Sequence, residues 1–112
     1  MKKTYRIKKE KEFQQVINAR ASYANRNIVL FILEKPKQRH FRVGISVGKK
    51  IGNAVMRNRV KRQLREAVLS LNAEFPDELD FVLIARPAIT SLSTSEVIEN
   101  LRHVCRLAKI MN

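Results

Sequence analysis

Apolar and polar residues recur along this chain with two periods, and the switches between them lay out its elements. "EKEFQQVINAR" sets Phe13, Val16 and Ile17, with Arg20, at helical spacing, which predicts a short amphipathic helix after a basic arm. "ASYANRN" interrupts it with turn-forming residues. "IVLFILE" is β-branched and aromatic with apolar residues on both faces, and reads as a strand covered on both sides. "KPKQRH" holds Pro36 and predicts a hairpin turn into the next strand. That strand, "FRVGISV", alternates cleanly. Phe41, Val43, Ile45 and Val47 form a core face, while Arg42, Gly44 and Ser46 form a small polar face that would line an open surface.

A long helix comes next, with Asn53 as a suitable N-cap. Met56, Val60, Leu64, Ala67, Val68 and Leu71 fall in an arc of about 120° at 100° per residue. Lys61, Arg65, Arg62 and Arg59 fill the opposite side, with Asn58 among them and Arg57 at the boundary. "NAEFPDELD" ends this helix, and "FVLIAR" reads as a third strand closed by Pro87. Ser93 and Glu96 then have the spacing of a capping box. They open a helix whose buried side is Val97, Ile98, Leu101, Val104, Cys105 and Ala108. The order predicts a layered α+β or α/β sandwich, a small sheet with helices packed on it. Its 112 residues suit one domain, 1–112.

Charge changes how this sandwich reads. At 45% apolar residues the chain is expected to fold, yet its formal net charge is +13. Residues 1–65 hold 19 of the 23 Lys and Arg but only 3 of the 10 Asp and Glu. Solvated helix faces interleave acids with bases, and the basic face has no acid before Glu66. Like charges at 57, 61 and 65 oppose folding, and a bound polyanion would offset them. Arg supplies a planar fork suited to phosphate, and a helix start near Asn53 adds free N–H groups. The glycines at 48 and 52 are expected to permit close backbone approach around Lys49–Ile51.

Other chemistry is sparse. The single Cys105 excludes an intramolecular disulfide and reads as an inert core thiol. His40 and His103 lie on different elements, and with one cysteine they give no zinc spacing. Asp77, Glu78 and Asp80 flank a turn and make no convincing metal cluster. No catalytic or metal-binding residue is assigned. The basic first residues lack a signal-peptide run, and no stretch approaches the ~20 apolar residues of a membrane span, so a cytoplasmic protein without a membrane partner is expected. A strand before the basic helix disfavours a helix-turn-helix, and an aromatic content of 6% disfavours an extended stacking platform. Phe13, Phe31 and Tyr23 could touch bases, but core packing is the favoured reading for each, least so for Phe13 beside the open sheet face.

At "VGISVGKKIGNAVMRNRVKRQLREA" the sequence resembles the protein component of bacterial ribonuclease P. "EFQQVI", "ANRNIVLFIL", "FRVGISV" and "FVLIARP" extend the resemblance over nearly the whole chain. It implies an α+β fold: a small, mostly antiparallel sheet packed with helices as a two-layer sandwich, with a left-handed crossover through the basic helix. It also implies a protein that serves a catalytic RNA, binding the RNA subunit and precursor tRNA to promote removal of the 5′ leader, with no protein partner required. Mg²⁺ would be needed by the particle and held mainly by RNA, with no cofactor assigned to the protein. RNA-subunit contacts would fall to Lys49, Lys50, Asn53, Arg57, Asn58, Arg59, Lys61, Arg62 and Arg65. A leader cleft would use Phe13, Ile17, Phe31, Arg42, Ser46 and Arg86. Ile17 departs from the family pattern, where an aromatic is expected. The rival readings are a non-catalytic RNA-binding module, such as a ribosomal protein or RNA chaperone, and a self-sufficient nuclease, which the shortage of clustered acids disfavours.

Overall fold

One hairpin and one crossover between parallel strands build the frame. The computed structural model describes residues 3–112. Its α-helices are α1 (Glu10–Asn18), α2 (Ala54–Ser70) and α3 (Thr94–Leu107). Its strands are β1 (Ser22–Ala24), β2 (Ile28–Glu34), β3 (Arg42–Ser46) and β4 (Leu79–Ala85). The sheet order is β1-β2-β4-β3, antiparallel at β1–β2 and β2–β4 and parallel at β3–β4. The mostly antiparallel α+β sandwich is therefore as expected.

One expectation within it is corrected. "KPKQRH" does not close a hairpin, because β4 inserts between β2 and β3. β4 is buried at six of its seven positions, so it takes the inner place and leaves β3 at the edge. Parallel β3 and β4 need a long connection, which α2 supplies. The hairpin lies one strand earlier, inside "ASYANRN". There the Asn25 side-chain oxygen accepts from the N–H groups of Asn27 and Ile28, both at 2.9 Å, and folds the turn between β1 and β2.

One face of the sheet carries Ile28, Leu30, Val43, Phe81 and Leu83, buried against Val60, Leu64 and Val68 of α2 and Leu101, Val104 and Cys105 of α3. Phe75 stacks on Phe81 at 4.5 Å and closes one end of this core. Burial pushes the Cys105 thiol up to about 12, so it stays protonated and inert as read. The Asn53 side chain accepts from the Met56 N–H at 3.0 Å, and the Ser93–Glu96 capping box forms in full. α1 adds partial cover on the opposite sheet face, with Val16 fully buried beneath it. Within the chain the two glycines differ, Gly52 lying against Met56 and Gly48 standing clear. Gly52 has a φ of 146° that ends the 3₁₀ turn Lys49–Ile51. Among the described residues no helix is long and apolar enough to cross a membrane.

Candidate nucleic-acid interface

The apolar stripe of α2 rotates its cations outward. Val60, Leu64, Ala67 and Val68 are buried, which leaves Asn58, Arg62 and Arg65 exposed and Arg57, Arg59 and Lys61 half-buried. Lys49 and Lys50 are exposed on the 3₁₀ turn leading into the helix. Among the described residues none of these cations meets an acid; the ion pairs are Arg42–Glu12, Arg42–Asp80 and Arg102–Glu74. The Nε of Arg57 is buried with no hydrogen-bond partner among the described residues. Two residues of the set are already occupied. Asn53 caps the helix, and Arg59 donates to the Thr90 carbonyl at 2.8 Å. Gln63, which the sequence reading passed over, donates to the Leu92 carbonyl at 3.2 Å and helps tie α2 to the turn before α3.

The second surface is the sheet face under α1. Cross-strand register sets three rows on it: Leu33–Asp80–Arg42, Phe31–Val82–Gly44 and Val29–Ile84–Ser46. Phe13 of α1 lies on Gly44, where a Cβ would come within 2.7 Å of the ring. Glycine at 44 therefore allows an aromatic ring to approach the strand closely, and the position is buried where an open surface was expected. Ile17 follows Phe13 by one helical turn and is half-buried. Phe13, Phe31 and Ser46 thus share one face, with Arg86 exposed just beyond the end of β4. Arg86 also donates to the Asn25 carbonyl at 3.3 Å. Tyr23 is paired opposite Leu30 and packs against the core, away from this face.

Arg42 occupies the end of the cleft and is held on both sides. It donates to Asp80 at 3.0 and 2.6 Å and to Glu12 at 2.9 Å. Asp80 is fully buried, and both acids raise the Arg42 pKa still further. The hydrogen bond from Arg42 holds the Glu12 carboxyl below its ordinary value. The pairing of Arg42 with Glu12 and Asp80 is not visible in the sequence because the partners stand 30 and 38 residues away. Together they tie α1 to the sheet.

Fold and surface define the class: a small basic α+β protein with a half-covered sheet face and a helix whose cations meet no acid among the described residues. A family model described as Ribonuclease P matches residues 1–109, and the chain belongs to that family. It is 60% identical over 112 residues to the "Ribonuclease P protein component" of Enterococcus faecalis, covering 100% of this chain and 95% of that one. The solved ribonuclease P protein of Staphylococcus aureus superposes with a TM-score of 0.87 at 39% identity, covering 96% of this chain and 98% of that one. The Thermotoga maritima ribonuclease P protein gives 0.80 at 25% identity, over 96% and 97%. The resemblance read from "VGISVGKKIGNAVMRNRVKRQLREA" is borne out, and with it the reading as a subunit of a transfer-RNA-processing ribonuclease.

Proposed function

We propose that residues 1–112 act as one RNA-binding domain that docks on the catalytic RNA of ribonuclease P and receives the 5′ leader of precursor tRNA. The observation that carries this is the row of cations on α2 with no acid partner among the described residues. Arg57, Arg62 and Arg65, with Lys49, Lys50 and Lys61, supply phosphate contacts, and displaced counterions favour binding. Asn58 offers an amide on the same face. Arg59 contributes from a position fixed by its carbonyl bond, and Asn53 supports the free N–H groups of the helix start. The single-stranded leader lies along the second face, against Phe13, Ile17 and Phe31, with Ser46 and Arg86 beside it. Arg42 acts here through position, since its bonds to Glu12 and Asp80 hold α1 over the sheet.

The carboxylates do not suit a protein-held Mg²⁺. Glu12 and Asp80 face Arg42, and Glu78 accepts from the Lys37 N–H at 2.7 Å. We assign the particle's Mg²⁺ to RNA, the work to the cytoplasm, and no role to a protein partner. Precursor-tRNA cleavage by ribonuclease P RNA at low Mg²⁺, with and without the protein and with the protein alone, tests the reading. Leader removal should be restored by the protein and absent with the protein alone. RNA binding without stimulated cleavage would return the generic RNA-binding module, and cleavage by the protein alone would return the nuclease.

A further inference from the structure

The geometry points to Arg6 as an RNA-phosphate contact that joins the two surfaces, holding one backbone phosphate together with Arg65 in a small hollow walled by Phe13. The inference rests on the RNA-binding reading above. Arg6 precedes α1 in a segment that runs along the outer edge of β3. It bridges Val43 in parallel, and the Ile7 N–H donates to the Val43 carbonyl at 3.0 Å. Tyr5 anchors the segment by stacking on His40 at 4.0 Å and meeting Phe41 edge-on at 5.1 Å. The backbone of Arg6 is therefore fixed, but its charge is not matched. Its Nε is buried with no hydrogen-bond partner among the described residues.

A hollow of about 160 Å³ opens beside it, lined by Arg6, Arg65, Phe13 and Gly44 together with apolar side chains and no acid. That volume is about five waters' share of the liquid, enough for a phosphate group. Two arginines border the hollow with no acid in its lining, and a buried unpaired donor costs stability; a phosphate would answer both. Arg65 belongs to the cationic helix and Phe13 to the leader cleft, so a phosphate here lies where the two RNA surfaces meet. Its source is either the leader or the RNA subunit.

Arg6→Ala in the full chain separates these sources. Three equilibria are measured over a range of salt: protein with RNA subunit, reconstituted particle with long-leader precursor tRNA, and particle with a leader trimmed to its last nucleotide. One equilibrium should weaken by roughly fivefold to tenfold, with a salt slope flatter by about one. A loss with the long leader that vanishes on trimming assigns a leader phosphate, and a loss in subunit binding assigns an RNA-subunit phosphate. Arg6→Lys should keep the slope. Arg106→Ala, which removes the same charge from α3, should change neither quantity. Wild-type affinity and slope in Arg6→Ala, or an equal loss in Arg106→Ala, overturn the inference even while the wild-type protein stimulates cleavage. If Arg6→Ala loses its fold by circular dichroism, Arg6→Gln carries the same test.

Discussion

α2 and α3 lie together on one face of the sheet, each burying one side, yet they treat charge in opposite ways. On α3, Arg102 meets Glu74 at 2.6 Å and Arg106 donates to the Asn112 carbonyl at 3.0 Å. Its first turn carries Glu96 in a capping box. On α2 the first turn holds no acid, and Arg62 and Arg65 point outward without an acid partner among the described residues. Both helices have the packing they need, so packing does not account for the difference. α3 neutralises itself, whereas α2 leaves a charge imbalance that a polyanion would complete.

Making α2 resemble α3 should separate folding from binding most sharply. Asn58 is exposed, and Asn58→Glu places an acid four residues before Arg62. We expect the fold to gain about 0.5 kcal/mol from the new pair and the better helix former. Affinity for the RNA subunit should fall on the order of tenfold to a hundredfold, because the acid repels phosphate and occupies Arg62. Urea melts and filter binding on one preparation read the two signs. A variant that loses both together would mean that the α2 cations serve the fold.

A smaller effect divides α2 internally. Arg59 satisfies the Thr90 carbonyl, while Arg62 is exposed. Arg59→Ala should therefore cost about 1–2 kcal/mol of stability, and Arg62→Ala should stay within about 0.5 kcal/mol of wild type. Both should weaken RNA binding. Denaturant midpoints at constant slope check the stability difference; equal midpoints would mean that the Arg59 bond contributes nothing.

That division shows what could be read from the sequence. The elements were legible because their signals are local: the Asn53 cap, the Ser93–Glu96 box, the alternation of "FRVGISV" and the stripe from Met56 to Leu71. Family membership was legible for the same reason, since its motif is contiguous. Pairings across long separations were not. Nothing near "KPKQRH" shows that β4, some 40 residues on, displaces the expected hairpin. Arg42 and Arg59 read as free cations like Arg62, and only the fold brings Asp80 and the Thr90 carbonyl to them. Gly44 read as open surface because Phe13, which covers it, lies 31 residues earlier.

The smallest expected effect concerns the helix starts. Hydrogen bonding to the Ser93 backbone N–H, and then to its side chain, lowers the Glu96 pKa from its ordinary 4.5. A carboxylate lowered in the folded state adds stability that is full above its unfolded value and is lost as pH falls through the lowered one. The α3 start should therefore weaken only in acid below 4.5. α2, capped by neutral Asn53 and with no acid in its first turn, has no matching group there. In Glu96→Gln the box can still form without a titrating charge. The melting-temperature advantage of wild type over this variant should hold above 4.5 and close as the solution is acidified. A gap that stays constant through that window would show that the Glu96 charge contributes nothing at the start of α3, and the contrast between the helices would rest on Arg102 and Arg106 alone.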